Sequence, residues 1–169
     1  YGSIDVHVFL ENDLAKFFGT EEAIVYSDAS STASSAIPAF SNRSDLLVVD
    51  DGCHASIMTG VNLSRSRVIY FKHNDMKDLK NVLQKVDDED RKLKRKPQRR
   101  FIVVEGLYRN FGDIVPLDEL FELKEKCKWR VFLDESHAVG VLGATGRGAA
   151  EHFGIATSSV DIVIASLST

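Results

Sequence analysis

Residues 130–148 read RVFLDESHAVGVLGATGRG: an apolar run that ends on Asp134, with His137 three positions on and four glycines behind. The run shows no polar alternation. That is the mark of a strand buried on both faces, as in a largely parallel sheet, rather than of one with a solvated side. The same pattern recurs in DLLVVD (45–50), RVIYF (67–71), RFIVVEG (100–106) and DIVIASL (161–167), and EAIVY (22–26) is expected as a further strand. Helical patterns lie between them. VFLENDLAKFFG (8–19) puts Leu10, Leu14, Phe17 and Phe18 on one stripe and stops at Gly19, a residue suited to a C-terminal cap. HASIMTGVNLS (54–64), DMKDLKNVLQKV (75–86) and LDELFELKEKC (117–127) are the other helices. Asp75 is expected to cap the second of these, with Met76, Leu79, Val82 and Leu83 as its apolar stripe. Strands alternating with helices predict a three-layer α/β/α fold over residues 1–169, with helices on both faces of one sheet.

Ligands of such sheets sit beyond the carboxyl ends of the strands, so the polar residues following each strand are the ones to inspect. These are SDASS, DDGCHAS, EGLYRNFGD, DESHAVG and the terminal LST. They are expected to converge on one place.

Composition narrows the classes. The chain has 169 residues, 44% hydrophobic and 27% charged, enough apolar mass for one sizeable core. A net charge of −4 gives no electrostatic reason to expect a nucleic-acid partner. The basic stretch RKLKRKPQRR (91–100) follows the acidic DDED (87–90), and adjacent blocks of opposite sign predict a solvated loop. Two cysteines, Cys53 and Cys127, argue against a disulfide scaffold. No signal peptide is read, and no apolar run reaches the roughly 18 residues that a membrane span requires. The chain begins at Tyr1 and ends on an apolar strand, so both ends are expected to continue in a longer polypeptide.

Several chemistries compete for the strand-end residues. An Asp-Glu pair after a strand fits magnesium-dependent nucleotide hydrolysis, but no phosphate-cradling GxxxxGK[ST] loop is present. The glycines 140, 143, 146 and 148 do not match GxGxxG and begin six residues after Asp134, so they read as a surface loop. No CxxC or HExxH spacing supports a metal site. A pyridine cofactor suits the residues better. Pyridoxal phosphate is an electron sink only while its ring nitrogen is protonated, which a buried carboxylate enforces. Asp134 can be that carboxylate, His137 a donor to the ring oxygen, and His54 a ring stacked on the pyridine.

The stretches HVFLENDLAKFFGTEEAIVY, DDGCHASIMTG, FIVVEGLYRNFGDIVPLDELFELKEK, VFLDESHAVGVLGATGRGAAEHFGI and DIVIASLST together resemble the α-oxoamine synthase family of fold-type I pyridoxal-phosphate enzymes. Its members condense an amino acid with an acyl-coenzyme A and release carbon dioxide. The resemblance implies that Asp134 pairs with the pyridine nitrogen, His137 reaches the ring oxygen and His54 stacks on the ring. Other positions depart from the family. Where it has a Ser-Gly-aromatic turn whose amides hold the cofactor phosphate, this chain has Ser27, Asp28, Ala29 and Ser30, so Ala29 and Ser30 are left as the phosphate-binding candidates. Arg109 stands in place of a serine and Phe111 in place of an aspartate.

The family's Schiff-base lysine follows the last strand aspartate by eight residues, in a Thr-x-x-Lys pattern. Counting from Asp161 puts Ser166 at the threonine and Thr169 at the lysine. A hydroxyl cannot form an imine with an aldehyde, so no catalytic residue is assigned to this chain. A chain without the lysine resembles one subfamily, the non-catalytic long-chain-base subunits of serine palmitoyltransferases. The stretches YGSIDVH, SAIPAF, SRSRVIYFKHNDM and RRFIVVEGLY and the basic insertion carry that resemblance. It implies a heterodimer at the endoplasmic reticulum membrane, anchored by sequence outside these residues, in which a catalytic partner holds the cofactor and joins L-serine to palmitoyl-coenzyme A. The retained His54, Asp134 and His137 leave one alternative, an active homodimeric α-oxoamine synthase.

Overall fold

The computed structural model describes residues 2–94 and 98–167. Five strands form one parallel sheet: β1 (Leu46–Asp50), β2 (Arg67–Phe71), β3 (Arg100–Glu105), β4 (Arg130–Asp134) and β5 (Ile162–Ile164), in the order β2-β1-β3-β4-β5. The helices are α1 (Asp5–Phe18), α2 (Ala29–Phe40), α3 (Ala55–Ser64), α4 (Met76–Leu93), α5 (Leu117–Cys127) and the single turn α6 (Ala149–His152). Every residue of β1 is buried, as is every residue of β3 and β4 after the first. That is the uninterrupted burial their apolar runs imply.

Chain direction sets the layers. From β1 the chain moves outward through α3 to β2, then back past β1 through α4 to β3. Parallel crossovers share one hand, so this reversal puts α3 and α4 on opposite faces. α2 packs beside α3, and α4 beside α5. The expected α/β/α sandwich follows, and the reversal opens a crevice at the carboxyl ends of β1 and β3.

Three local expectations are corrected. EAIVY (22–26) is not a strand: no described strand lies beside it, the Val25 amide donates to Glu11 Oε1 at 2.9 Å, and Ile24 is 68% exposed. The polar SDASS stretch is not a loop but the start of α2, where Asp28 is the N-cap and Ala33, Ala36 and Ile37 form the buried stripe. The acidic run is not a loop either. α4 continues to Leu93 because its charges meet partners across space: Arg100 with Asp87 (2.5 Å) and Asp90 (2.8 Å), and Arg67 with Glu89 (2.9 Å). The middle of the basic stretch, 95–97, lies outside the described residues, as does Thr169.

The close approach of α2 and α3 depends on one missing side chain. A Cβ on Gly60 would stand 2.6 Å from the backbone oxygen of Ala33 and 3.1 Å from Ser34 Cα. Backbone cannot yield cheaply there. Gly60→Ala is therefore expected to cost about 1–3 kcal/mol in the denaturant unfolding of the intact protein, with little change in the slope of the transition.

Candidate functional site

Three neighbouring strands end on acids at one edge: Asp50 on β1, Glu105 on β3 and Asp134 on β4. All three are buried, so each must find donors locally. They find different numbers.

Asp50 is saturated. It accepts from the Gly52 amide (2.8 Å), the Asn74 amide (2.9 Å) and the Tyr108 hydroxyl (2.8 Å), and His73 Nδ1 lies 2.9 Å away. Glu105 takes the amide of His54 at 2.7 Å on one oxygen and that of Arg109 at 3.0 Å on the other. Burial raises its pKa above the usual carboxylate range, against the pull of those amides and of His54. Among the described residues Asp134 receives one amide, from Ser136 at 2.8 Å on Oδ1. Its Oδ2 is buried and without a hydrogen-bond donor among the described residues. His54 Nε2 is 3.2 Å from it, close enough for charge attraction but out of line for an N–H donor.

His54 is held by two local bonds. It is the N-cap of α3, its Nδ1 accepting the Ile57 amide at 3.3 Å, while its own amide is fixed by Glu105. With Nδ1 used as an acceptor, the proton of the neutral ring belongs on Nε2, the nitrogen on the Asp134 side. Burial opposes a charged ring, but contact with the Asp134 carboxylate, its charge, and the charge of Glu105 together lift the His54 pKa above its usual value.

The loop after β4 is shaped from beneath by Glu135, which accepts the Ala149 and Ala150 amides at 2.9 and 3.0 Å. Gly148, at φ 100°, lies so close to this carboxyl that a Cβ would meet it at 2.8 Å. His137 is half-buried three residues past Asp134 and makes no described hydrogen bond. Ser166 is buried at the end of β5, two residues beyond Ile164, the register partner of Asp134. Ala29 and Ser30 form the first turn of α2. Arg109 contributes its backbone amide to Glu105, and Phe111, 59% exposed, stacks on His73 with centroids 4.1 Å apart.

Glu105, Asp50 and His73 were not singled out from the sequence, although VVEG and LVVD are the same kind of strand end as FLDE. Strand-terminal position was the available signal. Which donors each acid meets depends on loops far away in the chain.

A buried acceptor with one open oxygen, flanked by a histidine that does not donate to it, suits a cationic ring N–H. That orphaned oxygen is where the residues present fit the pyridine end of pyridoxal phosphate. Among the described residues no group of three or more His, Cys, Asp or Glu is placed to hold a metal ion.

The profile of the Aminotransferase class I and II family matches residues 1–169, and the chain belongs to that family. Within it the similarity is to serine palmitoyltransferases. The chain is 51% identical over 166 residues to serine palmitoyltransferase 1 of Dictyostelium discoideum, and 48% identical over 167 residues to long chain base biosynthesis protein 1b of Oryza sativa subsp. japonica. These alignments cover 98% and 99% of the chain, which spans about a third (34%) of either relative. A Sphingomonas wittichii serine palmitoyltransferase superposes with a TM-score of 0.86 at 32% identity, covering 99% of this chain and 40% of that one. A serine palmitoyltransferase from S. paucimobilis, solved with a bound PLP-myriocin aldimine, gives a TM-score of 0.87 at 30% identity, with 99% and 41% covered.

Two titrations test this electrostatics. Asp134→Asn removes the charge that favours the His54 cation while leaving the burial that opposes it, so the His54 midpoint followed by NMR is expected to fall. His73 bridges Asp50 and Asp113 (3.1 Å); burial opposes its charge, but Asp50 and then Asp113 outweigh it and raise its pKa above 6.5. The stability from this bridge is accordingly complete below about pH 6.5 and is lost as pH rises through the folded pKa. In Asp113→Asn, unfolding measured across that interval is expected to show a weaker pH dependence and the His73 midpoint to drop, with His54 unaffected.

Proposed function

We propose that this chain is part of the non-catalytic long-chain-base subunit of a serine palmitoyltransferase, the complex that joins L-serine to palmitoyl-coenzyme A to give 3-ketodihydrosphingosine. Identity of 51% to a protein named serine palmitoyltransferase 1 and of 48% to one named long chain base biosynthesis protein 1b supports the assignment to the complex. The observation that carries the non-catalytic half is Thr169: a hydroxyl stands where the family resemblance calls for the amine that anchors the cofactor. The catalytic partner supplies that amine.

When bound, pyridoxal phosphate provides an electron sink for the carbanion formed as an amino acid loses carbon dioxide. This chain's residues could hold only part of it. Asp134 Oδ2 would accept the ring N–H, His54 would flank the ring, and His137 and Ser166 would border it at the ends of β4 and β5. With no amine at residue 169, the chain orients and shields but moves no proton at the substrate carbon. Its larger contribution is the folded surface against which the partner assembles. Among the described residues no helix is long and apolar enough to cross a membrane, and attachment to the endoplasmic reticulum is assigned to sequence beyond these residues.

The full-length protein, expressed with a lysine-bearing homologue, is expected to co-purify with it as a heterodimer. After borohydride reduction, mass spectrometry should find the pyridoxyl-lysine on the partner and none on this chain. Turnover by the isolated full-length chain, or a pyridoxyl adduct on one of its own lysines, would establish the homodimeric synthase instead.

A further inference from the structure

The loop between β3 and α5 is closed on itself and tied down from one side. Its stem pairs Leu107 with Ile114, and the Tyr108 amide donates to the Asp113 carbonyl at 2.9 Å. Beyond that stem lies a tip, residues 109–112, whose Gly112 amide returns to the Tyr108 carbonyl at 2.8 Å. Gly112 makes the turn at φ 74°, with nothing near the place of a Cβ. The stem is fixed, because Tyr108 is buried with its hydroxyl on Asp50 and Val115 is buried behind it. All the tip residues are exposed.

Two contacts hold the tip down. The Arg109 amide donates to Glu105 Oε2 at 3.0 Å, and the Phe111 ring lies on His73, centroids 4.1 Å apart and planes 24° from parallel. Phe111 thereby covers the turn after β1, where a Cβ on Gly52 would stand 2.9 Å from its Cε2. The tip so reaches from the end of β3 across to the loop after β1.

His73 is the platform for Phe111, and its surroundings suit one charge state. Nδ1 is 2.9 Å from Asp50 Oδ1, and Nε2 is 3.1 Å from Asp113 Oδ2. Among the described residues these two carboxylates and Tyr108, edge-on to the ring at 4.5 Å, are the ionisable groups against it; Asn74 and Phe111 carry no charge. A neutral imidazole has a single N–H, so it can answer one carboxylate and must turn a lone pair on the other. Asp50 is held in the interior by the Gly52 and Asn74 amides and the Tyr108 hydroxyl, whereas the Asp113 side chain is 43% exposed. The bond that gives way is therefore the one to Asp113. Loss of the charge also ends the attraction of an imidazolium for the Phe111 ring face.

We propose that residues 109–112 form a lid on the carboxyl edge, latched shut by the imidazolium of His73 and released when that ring gives up its proton. With the lid turned out, Glu105 loses the Arg109 donor, and solvent reaches a carboxyl that is 1% exposed when the lid is shut. Burial opposes the charged ring, but Asp50 and then Asp113 outweigh it and raise its pKa above 6.5. The latch is accordingly set below about pH 6.5 and slackens as pH climbs through the folded value. The device uses residues of this chain alone and stands independently of the subunit assignment.

The test is peptide-resolved hydrogen exchange of the full-length protein from about pH 5.5 to about pH 9, with each rate divided by the intrinsic rate at that pH. Protection of the tip amides is expected to fall about two- to fivefold as His73 titrates, which is the loss of an exposed cation–π contact. Protection in β1 and β3 should stay constant. Glu105 cannot mimic the effect, since rising pH charges its carboxyl and strengthens the bond to the Arg109 amide. In His73→Gln the step with pH should vanish. In Phe111→Ala, where an exposed ring is removed and the core is untouched, the tip should exchange near the fast rate at every pH. Constant protection of the tip across the range, a parallel loss in β1 and β3, or a step that survives either substitution would overturn the proposal.

Discussion

A charge buried at a strand end must be met by donors, and in this molecule that requirement organises the whole carboxyl edge. Asp50, Glu105 and Asp134 end three adjacent strands in the interior, where an uncompensated carboxylate costs several kcal/mol. Water does not reach them freely, so the loops must. The turn after β1 bends back to give Asp50 the Gly52 amide, and α3 starts where the His54 amide can reach Glu105. The loop after β3 is folded so that the Tyr108 hydroxyl meets Asp50 and the Arg109 amide meets Glu105. Loop conformation here is largely a consequence of satisfying these acids.

The functional asymmetry comes from the same constraint. Two of the acids are fully engaged and serve the fold; the third keeps one oxygen open beside His54. An open acceptor in a buried place is costly unless something supplies a donor, which is the logic by which a cofactor bed is recognised in this family of enzymes. That open oxygen is present in a chain whose residue 169 is a threonine.

Much of the architecture was legible because apolar periodicity is a local property. β1, β3 and β4 were evident from runs with no polar interruption, and Asp75 was evident as a helix cap; it accepts the Lys77 and Asp78 amides. EAIVY misled for a physical reason: β-propensity describes a segment's fitness for a sheet but does not supply the neighbouring strand. α2 was missed because its buried stripe consists of small residues, with Ser and Thr between, a composition that reads as loop until Gly60 of α3 is seen to require it. The reach of α4 through the acidic run depended on Arg67 and Arg100, remote in sequence and present only once the sheet is assembled.

By itself the sequence determined the class of fold, the edge of the sheet at which the polar strand ends gather, and the threonine at residue 169, since each follows from residue identity and spacing. The tertiary structure alone decided which of three similar strand-end acids is left open, and that Asp28 caps α2 through the Ser31 amide. Those outcomes depend on where amides from distant loops come to rest, and a buried carboxylate is answered by whatever donor the fold brings near it, not by its neighbours along the chain.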